Sequence, residues 1–425
     1  MDDFLLEDLI NIHNGRKYNH LSIGEIPLFG SGGIMSYVDD YLYNGEAILL
    51  PRKGTLDNIM FSEGKLWTVD TMYYSTIKNT KVADPFYLYN YLKLLDLRHL
   101  DSGSTLPSMT KTAYSKIPVK LPNIIKQIQI AKVLSDLDAK IEVNNQINAK
   151  LEAMAKTLYE YWFVQFDFPF DFAQGKPSLN GKPYKSSGGK MVFNDELKRE
   201  IPKGWEVKTI GDYCKSKGGY AFKSSSWANT GLTVIKIKNI QENYTIDTTD
   251  ISFSNSEKES IDKKFITKAG NILIAMTGAT VGKYAIVPKT ENDIYVNQRV
   301  GHFDFGKNPT SKLPFLINSL NQSYFRKMIF VLASGAAQPN ISNEQINNIK
   351  LIHPSLDLIE KYNQKFKPTY EKILNNQFEN QKLADLRDWL LPMLMNGQVS
   401  VGDAKEYVSG DHGELGMVAE DRGKS

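Results

Sequence analysis

The sequence predicts an α+β protein with two β-rich domains, each followed by a long α-helix, the two helices being packed as an antiparallel coiled coil with pseudo-twofold symmetry. Three observations predict this fold: an internal repeat, a heptad pattern in two long helical stretches, and a series of short β segments before each of them. With 425 residues, 41% of them hydrophobic and 23% charged, the chain is long enough for two or three domains.

The internal repeat is a match without gaps between two stretches that lie 232 residues apart. Residues 103–107 (GSTLP) match residues 335–339 (GAAQP), and the same offset continues into the helical stretch that follows each of them. Near the start of the chain, residues 6–8 match residues 210–212 at an offset of 204. The repeat therefore begins at the start of the chain, and the rise of the offset from 204 to 232 gives the second copy 28 additional residues.

The two helical stretches, residues 123–166 and 355–397, share one heptad seam. Apolar residues recur in alternating steps of three and four, and two asparagines interrupt the series at the same place in both stretches. The seam consists of Leu134, Leu137, Ile141, Asn144, Asn148, Leu151 and Leu158 in the first helix and of Phe366, Ile373, Asn376, Asn380, Leu383 and Leu390 in the second.

The length of these helices predicts how they pack. A helix of about forty residues is roughly 60 Å long, too long for a compact domain to cover, so each apolar stripe is expected to pack against its counterpart. If the twofold axis passes between Asn144 and Asn148, facing residues have numbers that sum to 524, so Asn144 lies opposite Asn380. Leu137 then lies opposite Arg387, which is unfavourable because an apolar side chain faces a charged one. Two unrelated amphipathic helices on separate cores remain the alternative.

Composition along the chain predicts the domain boundaries. The β-rich domains span residues 1–122 and 201–354, because short β segments there are separated by Gly and Pro. Residues 167–200 are rich in Gly, Pro, Lys and Ser and are expected to form a flexible linker. The polar residues 398–425 are expected to be disordered. The second helix is expected to begin or kink at Pro368.

Bulk composition excludes several classes of protein. A single cysteine, Cys214, allows neither a disulfide framework nor a cysteine-based zinc site, and this suits a reducing cytoplasm. The acidic, amphipathic first residues do not resemble a signal peptide, and no apolar run is long enough to span a membrane. A net charge of +3 permits nucleic acid as a partner but does not argue for it.

A basic loop follows a strand that looks buried in the first domain. Arg52 and Lys53 could contact a phosphate or the edge of a base, while Gly54 would allow a close approach of the backbone. A charged hairpin tip is the plainer interpretation of the same residues.

The corresponding stretch of the second domain, residues 278–283 (GATVGK), resembles a phosphate-binding loop but lacks its spacing. Three residues separate its glycines where a P-loop needs four, and Tyr284 follows Lys283 in place of the Ser or Thr that holds magnesium. Nucleotide binding is therefore not expected here. Contact of the backbone and Lys283 with a DNA phosphate, or an ordinary hairpin turn, remains.

The sequence contains no recognisable catalytic motif. The six histidines are scattered without an HExxH motif or metal-ligand spacing, no acidic cluster is typical of a nuclease, and no NPPY-like tetrapeptide or nucleotide fingerprint occurs. The sequence predicts no catalytic residue, no metal site and no cofactor bound by this chain.

Residues 1–398 resemble the specificity (S) subunit of a type I restriction-modification system. The resemblance rests on GSTLPSMTK (103–111) and GAAQPNISN (335–343), each followed by IPVKLP or IKLIHP. It also rests on IGD (210–212), on GNILIAMTGATVGK (270–283), and on the run WFVQFDFPF with the following GKPYKSSGGK. The chain starts without the tryptophan that opens the second copy at Trp205.

The resemblance implies a function. Each β-rich domain would be a target-recognition domain that reads one half of a bipartite, asymmetric site in double-stranded DNA. The helix pair would set the unread spacer and dock two methyltransferase (M) subunits, and restriction (R) subunits would join through the complex. S-adenosylmethionine, ATP and magnesium are expected on those partners, and the S subunit itself is not an enzyme.

The candidate DNA contacts lie in loops at the ends of strands. Arg52 and Arg299 are candidates for guanine, and Gln338, Asn340 and Asn343 for adenine, on the usual bidentate geometry. A structural turn that receives the helix is an equal alternative for residues 335–343. The full set of candidates is Arg52, Lys53, Gly54, Thr55, Ser104, Thr105, Ser108, Lys111, Thr277, Gly278, Thr280, Lys283, Gln298, Arg299, Gln338, Asn340 and Asn343.

Two other classes of function stay open at this point. One is an enzyme that cuts or methylates DNA unaided, which the missing motifs argue against. The other is a non-catalytic coiled-coil adaptor whose β-rich domains bind protein or glycan, which the mild net charge allows.

Overall fold

A computed structural model describes residues 2–97, 100–101, 107–242, 244–257, 261–333 and 339–409. The chain divides into two compact units. The first unit holds residues 1–141 and 382–425, and the second unit holds residues 142–381. The boundary crosses both long helices, so each unit combines one β-rich domain, the first part of the helix that follows it, and the last part of the other helix.

The first unit contains ten strands and the start of the first long helix among its described residues. Two four-stranded sheets, ordered β2-β9-β6-β7 and β4-β3-β8-β5, and the pair β1-β10 make up its β-rich domain. The elements are β1 Asp2–Leu5, α1 Leu6–Leu9, β2 Ile10–Asn14, β3 Ile23–Gly30, β4 Gly33–Val38, β5 Tyr43–Asn44, β6 Ala47–Pro51, β7 Met60–Ser62, β8 Lys65–Thr68, β9 Met72–Ile77, α2 Pro85–Lys93, α3 Lys111–Ser115, β10 Pro118–Leu121 and α4 Ile124–Tyr159.

The next elements belong to the second unit and begin with a short segment between α4 and the second β-rich domain. A turn of π-helix, Glu160–Val164, ends α4. The segment then forms the three-stranded sheet β12-β11-β13 and the hairpin β14-β15. Its strands are β11 Pro169–Asp171, β12 Lys176–Pro177, β13 Lys182–Pro183, β14 Met191–Asn194 and β15 Arg199–Pro202.

The second β-rich domain repeats the sheets of the first. A four-stranded sheet β17-β25-β22-β23, a five-stranded sheet β18-β20-β19-β24-β21 and the pair β16-β26 are its layers. The elements are β16 Glu206–Thr209, α5 Ile210–Tyr213, β17 Ser216–Gly218, β18 Trp227–Ala228, β19 Leu232–Ile235, β20 Ser252–Ser254, β21 Ile266–Thr267, β22 Ile272–Ala275, β23 Tyr284–Ile286, β24 Ile294–Val296, β25 Val300–Phe303, α6 Leu313–Leu320, α7 Ser323–Ala333, α8 Asn343–Asn347, β26 Lys350–His353, α9 Leu356–Asn396 and, returning to the first unit, α10 Val401–Ser409.

The strands β6 and β22 show why these sequences form the domain cores. Both strands are buried along their whole length, which fits their continuous apolar sequences AILLP and ILIA. Alternate side chains point to opposite faces of a strand, and here they enter different cores: Ile48 and Leu50 join one cluster, Ala47 and Leu49 another. Ile272, Ile274, Leu273 and Ala275 divide in the same way.

The antiparallel helix pair predicted from the sequence is confirmed. In the second unit, Asn144 of α4 is hydrogen-bonded to Asn380 of α9, and Asn148 is hydrogen-bonded to Asn376, so residue numbers rise along one helix and fall along the other. Apolar seam residues lie in the cores of both units. Leu134, Leu137 and Leu390 share the first unit's core with a partly buried Leu383, while Phe366 and Ile373 share the second unit's core with partly buried Leu151 and Leu158; Ile141 is half-buried.

Arg387, which the sequence predicts to lie opposite Leu137, forms an ion pair with Asp138. In the first unit, Arg387 donates from Nη1 to Oδ1 of Asp138 at 2.6 Å, one residue beyond Leu137. Leu137 stays buried in the apolar core with Leu386 and Leu390.

The prediction that the second long helix begins at Pro368 is wrong. The helix α9 begins at Leu356, twelve residues earlier, and continues through Pro368 to Asn396. Its apolar stripe explains this, because Tyr362 and Phe366 precede the proline and are buried in the second unit's core. Packing of an amphipathic face outweighs the lost backbone hydrogen bond.

Residues 167–200 are not the flexible linker that their composition suggested. The ring of Phe168 stacks on Tyr184 with centroids 4.7 Å apart and on Trp205 at 5.2 Å. The carboxylate of Asp167 accepts hydrogen bonds from the backbone and hydroxyl of Ser186. Because aromatic rings bury large areas, a few of them order a segment whose remaining residues are Gly, Ser and Lys.

The prediction of a disordered tail is wrong for residues 401–409, which form α10. Ser400 caps this helix in a capping box with Asp403, since the backbone N–H of Asp403 donates to the serine hydroxyl and the aspartate accepts in return. Ala404 is fully buried, and Tyr407 packs edge-on against Trp389 at 5.2 Å. Residues 410–425 lie outside the described residues.

Candidate DNA interface

Two loops of the first unit, predicted separately as DNA contacts, are hydrogen-bonded to each other. The backbone N–H of Gly54 donates to the carbonyl of Pro107 at 2.9 Å, and the N–H of Met109 donates to the carbonyl of Arg52 at 2.9 Å. Lys53 and Ser108 form an antiparallel bridge between these bonds. The two loops therefore present one continuous surface.

A third stretch joins this cluster. The N–H of Arg52 donates to the carbonyl of Thr71 at 2.9 Å, and its guanidinium donates to the carbonyl of Asp70 at 3.2 Å. The ring of Tyr73 lies beneath two cations, 5.9 Å from Cζ of Arg52 and 5.6 Å from Nζ of Lys111. Burial raises the pKa of the Tyr73 phenol, with Arg52 opposing, so the ring is neutral and offers its face to the cations.

The second unit repeats the same three connections. The N–H of Gly278 donates to the carbonyl of Pro339 at 2.9 Å, the N–H of Ile341 donates to the carbonyl of Met276 at 2.9 Å, and the N–H of Met276 donates to the carbonyl of Arg299 at 3.1 Å. Residues 276–278, 299 and 339–341 thus take the places of residues 52–54, 71 and 107–109. We call the two sets the first and second loop clusters.

A glycine is required at the same point of both clusters. Gly54 has a φ of +88° and Gly278 a φ of +77°, in the left-handed region that residues with a Cβ rarely adopt. The turn at these glycines lets each loop leave its buried strand and run alongside the loop before α3 or α8.

The clusters place several predicted residues at the surface. Described candidates that are exposed are Lys53, Thr55, Gln298, Arg299 and Asn340, and those that are half-buried are Arg52, Gly54, Ser108, Lys111, Thr277, Gly278, Thr280, Lys283 and Asn343. Ser104, Thr105 and Gln338 lie outside the described residues.

Some candidates are already engaged within the protein. The ammonium of Lys283 lies 3.0 Å from a carboxylate oxygen of Glu242. The side-chain oxygen of Asn343 accepts a hydrogen bond from the hydroxyl of Ser216 at 2.6 Å, so the two-point contact that adenine needs is not available to it in this arrangement. Lys111 donates to the carbonyl of Ile12 at 2.7 Å.

Two hydroxyls, one in the second loop cluster and one just beyond it, are buried without a partner among the described residues. They belong to Thr277 and Thr280. Buried hydroxyls normally form hydrogen bonds, so these two groups are unsatisfied in the described part of the chain.

Three further residues shape the first cluster without being recognisable from the sequence. Asp70 and Thr71 hold Arg52 through their carbonyls, and the carboxylate of Asp101 accepts from the N–H of Ser108 at 2.8 Å. Since two of these contacts use backbone atoms, no residue type could have signalled them.

The loops that form and flank the two clusters carry basic but no acidic side chains, although Asp101 and Glu242 contact them from outside. The loops at residues 52–55, 107–111, 277–283, 298–299 and 339–343 contain five Lys or Arg residues and no Asp or Glu. Nothing in the described ranges groups three metal-ligating side chains, and none of the helices described there has the length and apolar character to cross a membrane. The basic side chains of these loops are suited to binding a polyanion.

A sequence model for the type I restriction modification DNA specificity domain matches residues 1–153 and 202–386. The chain belongs to this family. The family resemblance predicted from the sequence is thereby confirmed. The two matched stretches coincide with the two copies of the internal repeat.

Individual relatives agree with this assignment. The specificity subunit of the type I restriction enzyme MjaIX from Methanocaldococcus jannaschii is 26% identical over 322 residues, 74% of this chain and 68% of the relative. The HindI specificity subunit from Haemophilus influenzae is 29% identical over 338 residues, 70% and 72% of the two chains. A crystal structure of a type I S subunit from M. genitalium superimposes with a TM-score of 0.54 at 16% identity, covering 92% of this chain and 95% of that one, and supports the fold.

Proposed function

We propose that this chain is the sequence-specific DNA-binding subunit of a type I restriction-modification complex. Each recognition domain reads one half of a bipartite, asymmetric site in double-stranded DNA, and the chain itself performs no catalysis. The observation that carries this proposal is the loop cluster, which occurs once in each domain with equivalent backbone hydrogen bonds.

The chemistry of the first cluster suits DNA. Arg52 and Lys53 meet the phosphate backbone or a guanine edge, and the neutral ring of Tyr73 holds Arg52 and Lys111 in place. The positive φ of Gly54 brings the backbone of the loop to the surface without a side chain in the way.

Differences between the clusters support two unlike half-sites. The hydrogen-bonding scaffold is the same, but Met276 and Thr277 occupy the places of Arg52 and Lys53, and Asn340 occupies the place of Ser108. A scaffold of constant geometry with changed side chains reads a different sequence.

The helix pair fixes the spacer and docks the methyltransferase (M) subunits, which bind S-adenosylmethionine, while restriction (R) subunits supply ATP- and magnesium-dependent cleavage. An exposed apolar face on α4 supports docking. Val143, Ile147 and Met154 follow one another at helical spacing and are 49%, 37% and 53% exposed, although large apolar side chains normally avoid water.

The proposal is tested by reconstitution. The chain is purified with its M subunit, incubated with S-adenosylmethionine and unmethylated genomic DNA, and the modified positions are sequenced. We expect methylation of a two-part motif with a fixed gap. Replacing residues 201–354 with the corresponding domain of a relative changes one half of the motif and leaves the other half and the gap as they were.

Two results contradict the proposal. One is a stable complex whose methylation follows no two-part motif. The other is failure of complex formation by the folded chain, which would favour an adaptor that binds protein or glycan. Ile147→Lys tests docking separately, because it should abolish complex formation without changing the melting temperature of the isolated chain.

A further inference from the structure

The helix α7 presents an exposed face of aromatic, apolar and basic residues beside the second loop cluster. Its other face is buried through Phe325, Ile329 and Ala333. On the exposed face, Phe330 is 75% exposed, Val331 62% and Tyr324 41%, and Lys327 lies between them. These four residues are called the α7 face.

The helix α7 is in contact with the loop that continues from the second loop cluster. Gly282 has a φ of +83°, and a Cβ placed on it would lie 2.4 Å from Cγ2 of Ile329, so loop and helix are in direct contact. Only residues 334–338 separate the end of α7 from Pro339, whose carbonyl accepts from Gly278. Phe330 and Val331 belong to the last turn of α7, the turn that leads into the cluster.

The residues of the α7 face are suited to contact with DNA. The helix carries Arg326 and Lys327 and no acidic residue, so its electrostatic field attracts a polyanion. The major groove of DNA admits an α-helix, and the C5 methyl group of thymine is the apolar feature on its floor. A helix with a cation and apolar side chains on one face matches a groove that has phosphates at its rim and methyl groups inside.

The sequence of the first copy differs at the positions that match Phe330 and Val331. The offset of 232 places Arg98 and His99, which lie outside the described residues, at the positions of Phe330 and Val331. At this offset the first copy of the sequence has two basic residue types where the second has Phe330 and Val331.

We infer that the α7 face is a further reading element of the second recognition domain, with Lys327 binding a backbone phosphate and Phe330 and Val331 contacting the methyl group of a thymine in the major groove. This inference rests on the proposed function and extends it. It assigns part of the specificity for one half-site to a helix, whereas the other contacts come from loops.

The experiment removes one methyl group at a time from the DNA. Duplexes containing the wild-type motif are made with single thymines of the second half-site and its flanks replaced by uracil, and binding of the complex with the M subunit is measured. We expect the wild-type complex to lose about tenfold in affinity at one thymine. Complexes with Val331→Ala or Phe330→Ala should bind the thymine duplex and the uracil duplex with equal affinity.

Matched controls separate this effect from general damage. Phe193→Ala removes another exposed phenylalanine of the same unit, 61% exposed on the hairpin β14-β15, and should leave the response to uracil unchanged. Lys327→Gln should lower the slope of log affinity against log salt by about 0.9 while leaving base preference intact.

Several outcomes overturn the inference. If the wild-type complex methylates a two-part motif but no uracil substitution in the second half-site distinguishes it from the α7 variants, the α7 face does not read DNA and the proposed function stands. A uracil effect that persists in both alanine variants has the same meaning. Absence of any two-part motif for the wild-type complex contradicts the proposed function instead.

Discussion

Nδ2 of Asn144 donates to Oδ1 of Asn380 at 2.8 Å, joining the two long helices in the second unit by a side-chain hydrogen bond between residues 236 positions apart in sequence. One turn along, Nδ2 of Asn376 donates to Oδ1 of Asn148 at 2.8 Å. Both pairs obey the relation that residue numbers sum to 524. A polar pair in an apolar seam lowers stability but penalises every other register.

Cysteine cross-linking should detect this register. In a Cys214→Ala background, Asn144→Cys with Asn380→Cys should form a disulfide under mild oxidation, whereas Asn144→Cys with Asn376→Cys, displaced by one turn, should not. The background change removes the only native thiol, whose pKa burial raises to about 12 and which is therefore unreactive in the native protein. Gel mobility after oxidation provides the measurement, and equal cross-linking of both pairs would refute the register.

Replacing the buried asparagine pair with leucine should stabilise the helices at the expense of their register. Asn148 is 7% exposed, Asn376 is fully buried, and Oδ1 of Asn376 has no hydrogen-bond partner among the described residues. Asn148→Leu with Asn376→Leu should raise the free energy of unfolding by about 2 kcal/mol, because two leucines bury apolar surface in place of a partly satisfied polar pair. Urea unfolding measures the gain.

The register of that leucine variant is then assessed through the length of the gap in the methylated motif. Slipped helix pairs should add motifs with a different gap. A variant that is less stable than the wild type would contradict the energetic argument, and one that keeps a single gap would show that the recognition domains alone fix the register.

Gly54→Ala should damage DNA reading beyond its effect on stability. Gly54 and Gly64 have the same φ of +88°, so an alanine at either position is strained by a similar amount, about 1 kcal/mol. A Cβ at Gly54 would also lie 3.1 Å from the hydroxyl of Ser31, whereas at Gly64 it would meet open space. We expect a small loss in melting temperature for both variants, slightly larger for Gly54→Ala because of the contact with Ser31, but a lower methylation rate only for Gly54→Ala.

The comparison between these two variants is decisive because it holds the backbone strain constant. A methylation rate as high as that of the wild type for both Gly54→Ala and Gly64→Ala would remove the first loop cluster from the DNA interface. A lower rate for both would indicate a general loss of stability.

The fold was largely predictable because its signals are repeated. An offset that holds without gaps and a seam interrupted by asparagines at the same place in both helices predict two equivalent domains and an antiparallel pair. The contact between Gly54 and Pro107 was not predictable, because backbone hydrogen bonds between residues distant in sequence leave no pattern in residue types.

Two wrong predictions have a common physical cause. The prediction of a flexible linker at residues 167–200 rests on average composition, and the prediction that the second helix begins at Pro368 rests on local propensity. Buried aromatic residues decide the structure in both cases. Tertiary burial of Phe168 and Tyr184, or of Tyr362 and Phe366, outweighs the local preference of the residues around them. The loop candidates remain predictions for side-chain contacts with DNA.

The last prediction concerns stability in acid and a histidine inside the second recognition domain. Nε2 of His302 lies 2.9 Å from the side-chain nitrogen of Asn271, whose oxygen accepts from the N–H of Phe305 at 3.1 Å. The asparagine amide must therefore donate to Nε2, and a protonated imidazole would lose this acceptor. Burial lowers the pKa of His302 to about 4.

Because the pKa of His302 is lowered in the folded chain, the free energy of unfolding should fall in acid. The unfolded chain binds a proton at His302 below a pKa of about 6.5, while the folded chain does so only near 4, so the stabilising contribution is complete above pH 6.5 and is lost as the pH falls to 4. This loss should amount to about 3 kcal/mol. In urea unfolding between pH 7.5 and 4.5, His302→Gln should be less stable than the wild type at neutral pH, and the difference should shrink in acid. A difference that stays constant across this range would show that His302 is not the titrating group.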